Sequence, residues 1–393
     1  LRFSNGLTAR RRADCLALSE CADPRRLTML IQILVLNYNG RSLLAQCLPT
    51  VTSAASQSRR RCEVTVIDNG SSDDSVEWLR RKHPGVGLIE CENRSLCSFN
   101  EVVASLDADV AVLLNNDVKL APTAIDPLVE PLAPPPLGDP ACFMTAPLCW
   151  QIDGRTYEGL KTAVRWRWGL VQATGRFPGH EEVVDRPDLT ASAGAAMAVD
   201  CRRFVELGGF DPIYLPGRIE DLDFAYRGFL AGYHARYVPR SVAYHIGMAS
   251  FGPAFGPSGN DHLALRNTLL FQWKNLRHPA HVARQWFHLP LRLIWDVARA
   301  PLVGRRRRWA LVRAFLAAGA LWRANRPRAS SAAGTARERE FFRRFHPQRM
   351  LTSPEPGDLS YWPHRFRVDI GRRQSAPAAA APLQRQSAGE ALP

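Results

Sequence analysis

The 393 residues predict an α/β fold, a Rossmann-like and mostly parallel sheet flanked by helices, with a helical region after it. Three observations carry that prediction. Short apolar runs alternate with stretches of helical spacing from Leu30 onward, the pattern of a parallel sheet with helical crossovers. One run, Val110–Leu114, is apolar on both faces, as a strand covered by helices on both sides must be. Two runs stop abruptly on polar clusters, Asp68-Asn69-Gly70-Ser71-Ser72-Asp73 and Asn115-Asn116-Asp117. Ligands of open α/β sheets bind just beyond the carboxyl ends of strands.

In chain order, residues 1–28 are rich in Arg, Ala and Cys without a period. They read as a non-globular extension lying upstream of a natural start at Met29. Leu30–Leu36 is the first strand, ending in the turn Asn37-Tyr38-Asn39-Gly40. Ser42–Ala55 has helical spacing, Cys62–Ile67 is a second strand, and Ser72 or Asp73 is placed to cap the helix carrying Val76, Trp78 and Leu79. Val86–Cys91 is a third strand, followed by a helix near Phe99–Leu106 and then the strand that ends at Asn115. Leu132–Pro140 is a proline-rich connector and Cys142–Leu148 another strand. Trp150–Val183 reads as hairpins or a flap. Ala191–Val199 is small and apolar, Asp200–Leu207 a short helix, and Tyr237–Tyr244 a strand or two delivering His245.

The polar clusters limit the chemistry. No G-x-G-x-x-G follows the first strand and no P-loop is present, so phosphates fall to metal and side chains rather than to a glycine nest. A carboxylate such as Asp117 at a strand end can hold a divalent cation and the phosphates it neutralises; an Asn-Asn-Asp turn is the plainer alternative. Glu220, Asp221 and Asp223 put three carboxylates within four residues. They repel unless metal, hydroxyls or arginines engage them, or unless they form a solvated helix start favoured by the macrodipole. Nine cysteines show no pair or Cys/His spacing suited to zinc and read as small core residues of a reducing compartment. No run of 18 apolar residues suggests a membrane span.

The succession ILVLNYNG, VTVIDNGSSDDS, VLLNNDV, GGFD, IEDLDFAYR and YHIGMAS, over roughly Leu30 to Phe251, resembles the family 2 glycosyltransferases of the rhamnosyltransferase-like branch. The resemblance implies the GT-A fold, a UDP- or dTDP-linked sugar donor, a divalent metal (Mn²⁺ or Mg²⁺) and inversion at the anomeric carbon. By position it assigns Asn37, Asn39, Asp68, Ser71, Ser72, Asn93, Asn100, Asn115 and Asn116 to nucleotide-sugar binding. Asp117 and His245 fall to the metal, Asp221 to the general base, and Glu220 to its side. Asn115 stands where the family's metal motif has its first Asp. The segment Asn93–Asn100 lacks the family's glycine. The expected activity is transfer of a hexosyl or deoxyhexosyl group to a lipid-linked or polysaccharide acceptor in cell-envelope glycan synthesis. The alternative is a catalytically silent carbohydrate- or membrane-binding module on the same fold.

The formal net charge of +14 is uneven: Leu276–Arg373 holds 21 arginines against 6 acidic residues, and the remainder is close to neutral. Trp286–Val303 and Trp309–Trp322 are apolar stretches broken by arginine, with Arg305–Arg308 between them. Aromatic and aliphatic residues beside arginine clusters describe helices lying on an anionic membrane, at the cytoplasmic face of the plasma membrane. A helical bundle packed on the sheet domain is the competing reading, and no nucleic-acid motif accompanies the cluster. The resulting division is residues 1–28 as extension, 29–251 as the GT-A domain, 252–350 as the basic helical membrane-associating region, and 351–393 as a mostly disordered tail.

Overall fold

A computed structural model describes residues 29–135, 139–247, 251–304, 308–325 and 334–352. The extension 1–28, Arg305–Arg307 and the tail from residue 353 lie outside the described residues. β1 (Ile31–Asn37), α1 (Arg41–Gln57), β2 (Cys62–Asp68), α2 (Ser75–Lys82), β3 (Gly87–Glu90), α3 (Ser98–Ser105) and β4 (Val110–Asn115) alternate as the spacing predicts. Asp74, rather than Ser72 or Asp73, occupies the N-cap position of α2, with Asp73 Oδ1 accepting from the Ser75 amide at 3.1 Å. β5 (Val118–Leu120), α4 (Ile125–Val129), β6 (Cys142–Gln151), β7 (Ala163–Arg167), β8 (Leu170–Thr174), β9 (Asp188–Leu189) and β10 (Ala196–Asp200) come next. They lead to α5 (Cys201–Glu206), α6 (Glu220–Ala231) and β11 (His234–His245).

The main sheet has the order β3-β2-β1-β4-β10-β6-β11-β5, with β9 also on β11. Its first four strands are parallel, and β10 enters antiparallel between β4 and β6. β11 runs parallel to β6, so the sheet is parallel on one side and mixed on the other. This topology brings the polar ends of β1, β2 and β4 to one edge. β11 joins them there, because the Ile246 amide donates to the Asp117 carbonyl at 3.0 Å.

The C-terminal helices are α7 (Phe251–Asn275, kinked at Gly256), α8 (Pro279–Ala298), α9 (Ala310–Asn325), α10 (Thr335–Arg344) and α11 (Pro347–Thr352). One apolar core sandwiches the sheet, with Val35, Val112, Leu114, Leu48, Phe143 and Phe224 inside it. A second joins the β7–β8 hairpin to α7–α11 through Val164, Val171, Phe271, Phe341 and Phe342. α6 belongs to both cores: Phe224 and Ala225 face the first, Leu222 and Tyr226 the second. The helix bearing the acidic cluster is therefore held from two sides. The seven described cysteines are free thiols, and among the described residues no helix is long and apolar enough to cross a membrane.

Candidate active site

At the strand-end edge the polar side chains bond to one another across the sheet. Asn37 Nδ2 donates to Asp68 Oδ1 at 2.9 Å and to Ser71 Oγ at 3.2 Å, and Asn116 Nδ2 donates to Asn37 Oδ1 at 2.8 Å. Asp68 also accepts from the Ser71 amide and hydroxyl at 2.8 and 2.6 Å. Asn39, held at φ 46°, accepts from the Ser72 amide at 2.7 Å, while its own amide donates to Ser71 Oγ. Gly40 is required by this crowding, since a Cβ there would stand 2.0 Å from Asn116 Nδ2. Asn37, Asp68 and Asn116 are buried and hold the loop ends together. Asn39 and Ser72 are exposed, and Ser71 and Asn115 half-buried, so these four present the surface a ligand would meet.

Asp117 and His245 are brought together although 128 positions apart in sequence numbering. His245 Nε2 stands 3.3 Å from Asp117 Oδ1, and its Nδ1 stands 3.2 Å from Glu158 Oε1. Burial lowers the His245 pKa, but the two carboxylates outweigh it and lift it to about 9. Burial likewise opposes ionisation of Glu158, and the His245 contact reverses that and lowers its pKa. Asp117 Oδ1 is buried without an aligned hydrogen-bond donor. A carboxylate oxygen and an imidazole nitrogen thus converge, with a second carboxylate fixing the far side of the ring, as ligating histidines require. Among the described residues no group of three or more His, Cys, Asp or Glu could enclose a metal ion. A cation held here would need His245 to give up its extra proton and would draw its remaining ligands from elsewhere, as Mg²⁺ does from phosphates and water.

The three carboxylates of α6 have three different fates. Asp223 is fully buried and accepts from Tyr214 Oη, Arg227 Nε, Asn275 Nδ2 and Lys274 Nζ at 2.7–3.0 Å. Burial would raise its pKa, but Arg227 and Lys274 hold it down at about 2. Glu220 is buried with Oε2 unpartnered, and desolvation together with the neighbouring Asp221 charge pushes it up to about 8. Asp221 is half-buried. It accepts from Ser192 Oγ, from the Gly194 amide at 3.0 Å and from its neighbour's amide, Leu222, at 2.8 Å.

The backbone immediately before Glu220 is strained. Arg218 and Ile219 both lie in the left-handed region, at φ 81° and 77°, a conformation that non-glycine residues hold only when their surroundings enforce it. Asn267 of α7 enforces it, donating Nδ2 to the carbonyls of Tyr214, Gly217 and Arg218 at 2.7–2.8 Å.

One short segment links the two groups of residues. The Gly194 amide binds Asp221, and the next residue, Ala195, accepts the Asn115 amide at 3.1 Å. Asp221 and the end of β4 are thereby neighbours through two consecutive residues. Two residues assigned by resemblance to the nucleotide sugar are engaged by backbone groups. Asn100 spends both amide atoms on the Phe210 backbone at 2.8 and 2.9 Å, fastening α3 to the Gly208-Gly209 turn. Asn93 caps its own turn by accepting from the Ser95 amide at 3.0 Å. Sequence reasoning missed Glu158, Ser192, Arg227 and Asn275. For Arg227 a signal existed, since it follows Asp223 by four residues on one helix face.

Residues 32–146 match the family model described as Glycosyl transferase family 2. The N-acetylglucosaminyl-diphospho-decaprenol L-rhamnosyltransferase of Mycobacterium tuberculosis is 24% identical over 293 residues, 68% of this chain and 89% of that protein. Among solved structures, GalNAc-T7 with UDP, GalNAc and Mn²⁺ is similar at 21% identity and TM-score 0.47, over 63% of this chain and 48% of that one. The mannosyltransferase PcManGT from Pyrobaculum calidifontis, in complex with GDP-Man and Mn²⁺, is 17% identical with TM-score 0.44, over 87% and 90%. Residues 32–146, which hold the polar ends of β1, β2 and β4, are therefore similar to the family 2 glycosyltransferases.

Proposed function

We propose that this protein is an inverting, metal-dependent glycosyltransferase that moves a hexosyl or deoxyhexosyl group from a UDP- or dTDP-linked donor to a hydroxyl of a lipid-linked or polysaccharide acceptor. The observation that carries this reading is the linkage of Asp221 to the end of β4 through Gly194 and Ala195. It puts an acidic side chain beside the edge that suits a nucleotide diphosphate. Asn39, Ser71, Ser72 and Asn115 line the donor side, over the buried Asn37–Asp68–Asn116 framework. Asp117 and, once its ring has given up its extra proton, His245 would hold a cation, which would supply positive charge against the departing diphosphate. Glu158 keeps the His245 ring oriented.

On the acceptor side, Asp221 takes the proton from the attacking hydroxyl. Ser192 and the Gly194 amide fix that carboxylate through Oδ2, and Oδ1 has only the local Leu222 amide, leaving lone pairs for the acceptor. Glu220, kept neutral by burial and by Asp221, adds no second negative charge beside the base. On this reading the reaction takes place in cell-envelope glycan synthesis at an anionic membrane on the cytoplasmic side, and its lipid-linked acceptor is supported by the diphospho-decaprenol in the mycobacterial relative's name.

The test is release of nucleoside diphosphate from a panel of nucleotide sugars, with and without Mn²⁺. Slow, metal-stimulated release from one donor is the expected result. No release and no stabilisation by any donor with metal would leave the silent binding module instead.

A further inference from the structure

Helix α8 is apolar on its outer face, while Leu289, with Val282 and Leu293, packs inward on the second core. Its buried residues are Gln285, Leu289 and Asp296, two of them polar. Its outward residues include Trp286, Phe287, Leu291, Ile294 and Trp295, from 55% to 68% exposed. Positions 287, 291 and 294–295 recur at helical spacing and form one continuous stripe. A helix of a water-facing surface shows the opposite pattern, so the medium α8 is built to meet is apolar. The inward polar residues have structural work: Asp296 Oδ2 accepts the Leu311 and Val312 amides at 2.8 and 3.2 Å, capping α9, and Oδ1 accepts from Arg299.

Leu302, 85% exposed, and Trp309, 52% exposed, lie in the connection between α8 and α9. Trp168, 68% exposed at the tip of the β7–β8 hairpin, joins the stripe at the other side. There Arg292 Nη1 donates to the carbonyls of Arg167 and Trp168 at 3.2 and 3.3 Å, and Gly169 packs so close to His288 that a Cβ would stand 2.5 Å from it. The sequence that carries this stripe is charged almost wholly with one sign. From Pro279 to Asn325 the sequence holds Arg284, Arg292, Arg299, Arg305–Arg308, Arg313 and Arg323 against one acid, Asp296, which is turned inward.

We propose that α8, with Trp168 and Leu302, is an in-plane helix seated in the interface of an anionic membrane. Tryptophan and arginine together suit that interface, the rings at the headgroup level and the guanidinium groups on lipid phosphates. Arginine and aspartate within the helix exclude a span. A second copy of this chain would bring the same arginine-rich rim against itself, and like charges disfavour that pairing. The hairpin ties the surface to the site: Thr162, just before β7, donates its amide to Thr190 Oγ1 at 2.9 Å, two residues from the Ser192 that holds Asp221.

This deepens the lipid-linked acceptor proposed above by naming the surface that meets the lipid, yet it is tested without donor or turnover. The full chain is floated with phosphatidylcholine vesicles, with and without phosphatidylglycerol, at low and physiological salt. A second sample carries Trp286→Ser with Trp295→Ser, both exposed positions, and its melting temperature reports that it folds. The expected result is flotation on the anionic vesicles alone, weakened about tenfold or more in the variant. Failure to float, or equal flotation of the variant, overturns the proposal. A dimer in sedimentation velocity that the two substitutions dissociate would overturn it in favour of a second copy covering the stripe.

Discussion

The strand-end edge and the start of α6 are both dense in polar groups, but they are stabilised in opposite ways. At the edge, Asn37, Asp68, Ser71 and Asn116 satisfy one another from within the sheet. On α6, Arg227 meets Asp223 from within the helix, and Ser192 and the Gly194 amide meet Asp221. Lys274, Asn275 and Asn267 reach in from α7, some fifty residues later. The proposed donor side is thus held from within the sheet edge, while the helix of the proposed base leans on α7. The contrast also sorts the acids. Asp223, surrounded by cations, is an anchor, whereas Glu220 keeps a buried oxygen without a donor and Asp117 faces the His245 ring.

The largest expected effect tests that dependence. Lys274 Nζ lies 3.0 Å from both Asp223 oxygens and 2.6 Å from Asp211. Lys274→Met takes one of two cations from buried Asp223, leaving Arg227, and should cost about 3 kcal/mol in chemical denaturation. A loss below about 1 kcal/mol would mean α7 does not hold α6, since that is the scale of an exposed pair.

Next comes pH. The folded pKa of Glu220, about 8, is raised above its ordinary 4.5. Below 4.5 both folded and unfolded chains bind the proton and no stability is lost. Between 4.5 and 8 only the unfolded chain ionises, so stability falls as pH rises through that window. Glu220→Gln removes this loss, and its melting temperature should exceed the wild type's at pH 8 and match it near pH 4. Equal melting curves at pH 8 would contradict a neutral Glu220. The smallest effect belongs to the edge. Gly40→Ala forces Asn116 and Asn37 apart and should cost about 1–3 kcal/mol, with weakened nucleotide binding; unchanged stability and binding would show that the edge is not tightly prearranged.

Much of this was legible in the sequence because the signals are local. The strand–helix alternation through β4 is written in apolar spacing, and the polar ends of β2 and β4 announce themselves. The pairing of β10 between β4 and β6 is not, since antiparallel insertion is decided by partners far along the chain. Glu158 sits in a stretch without period and acquires meaning only from His245, 87 residues away. Asn100 shows the converse: its position matches a sugar-binding motif, but its amide is consumed by the Phe210 backbone. Resemblance transfers position, while the direction a side chain takes depends on neighbours the motif does not include.

The division into a donor side and a base side is tested most directly by measuring donor affinity and transfer rate separately in Asp117→Asn and Asp221→Asn. Asp117→Asn should weaken nucleotide-sugar binding and remove its Mn²⁺ dependence. Asp221→Asn should bind donor as the wild type does and transfer about 10²–10⁴-fold more slowly, the usual loss of a general base. If Asp221→Asn transfers at the wild-type rate, or if Asp117→Asn retains full metal-dependent donor binding, the two sides do not have the roles given to them here.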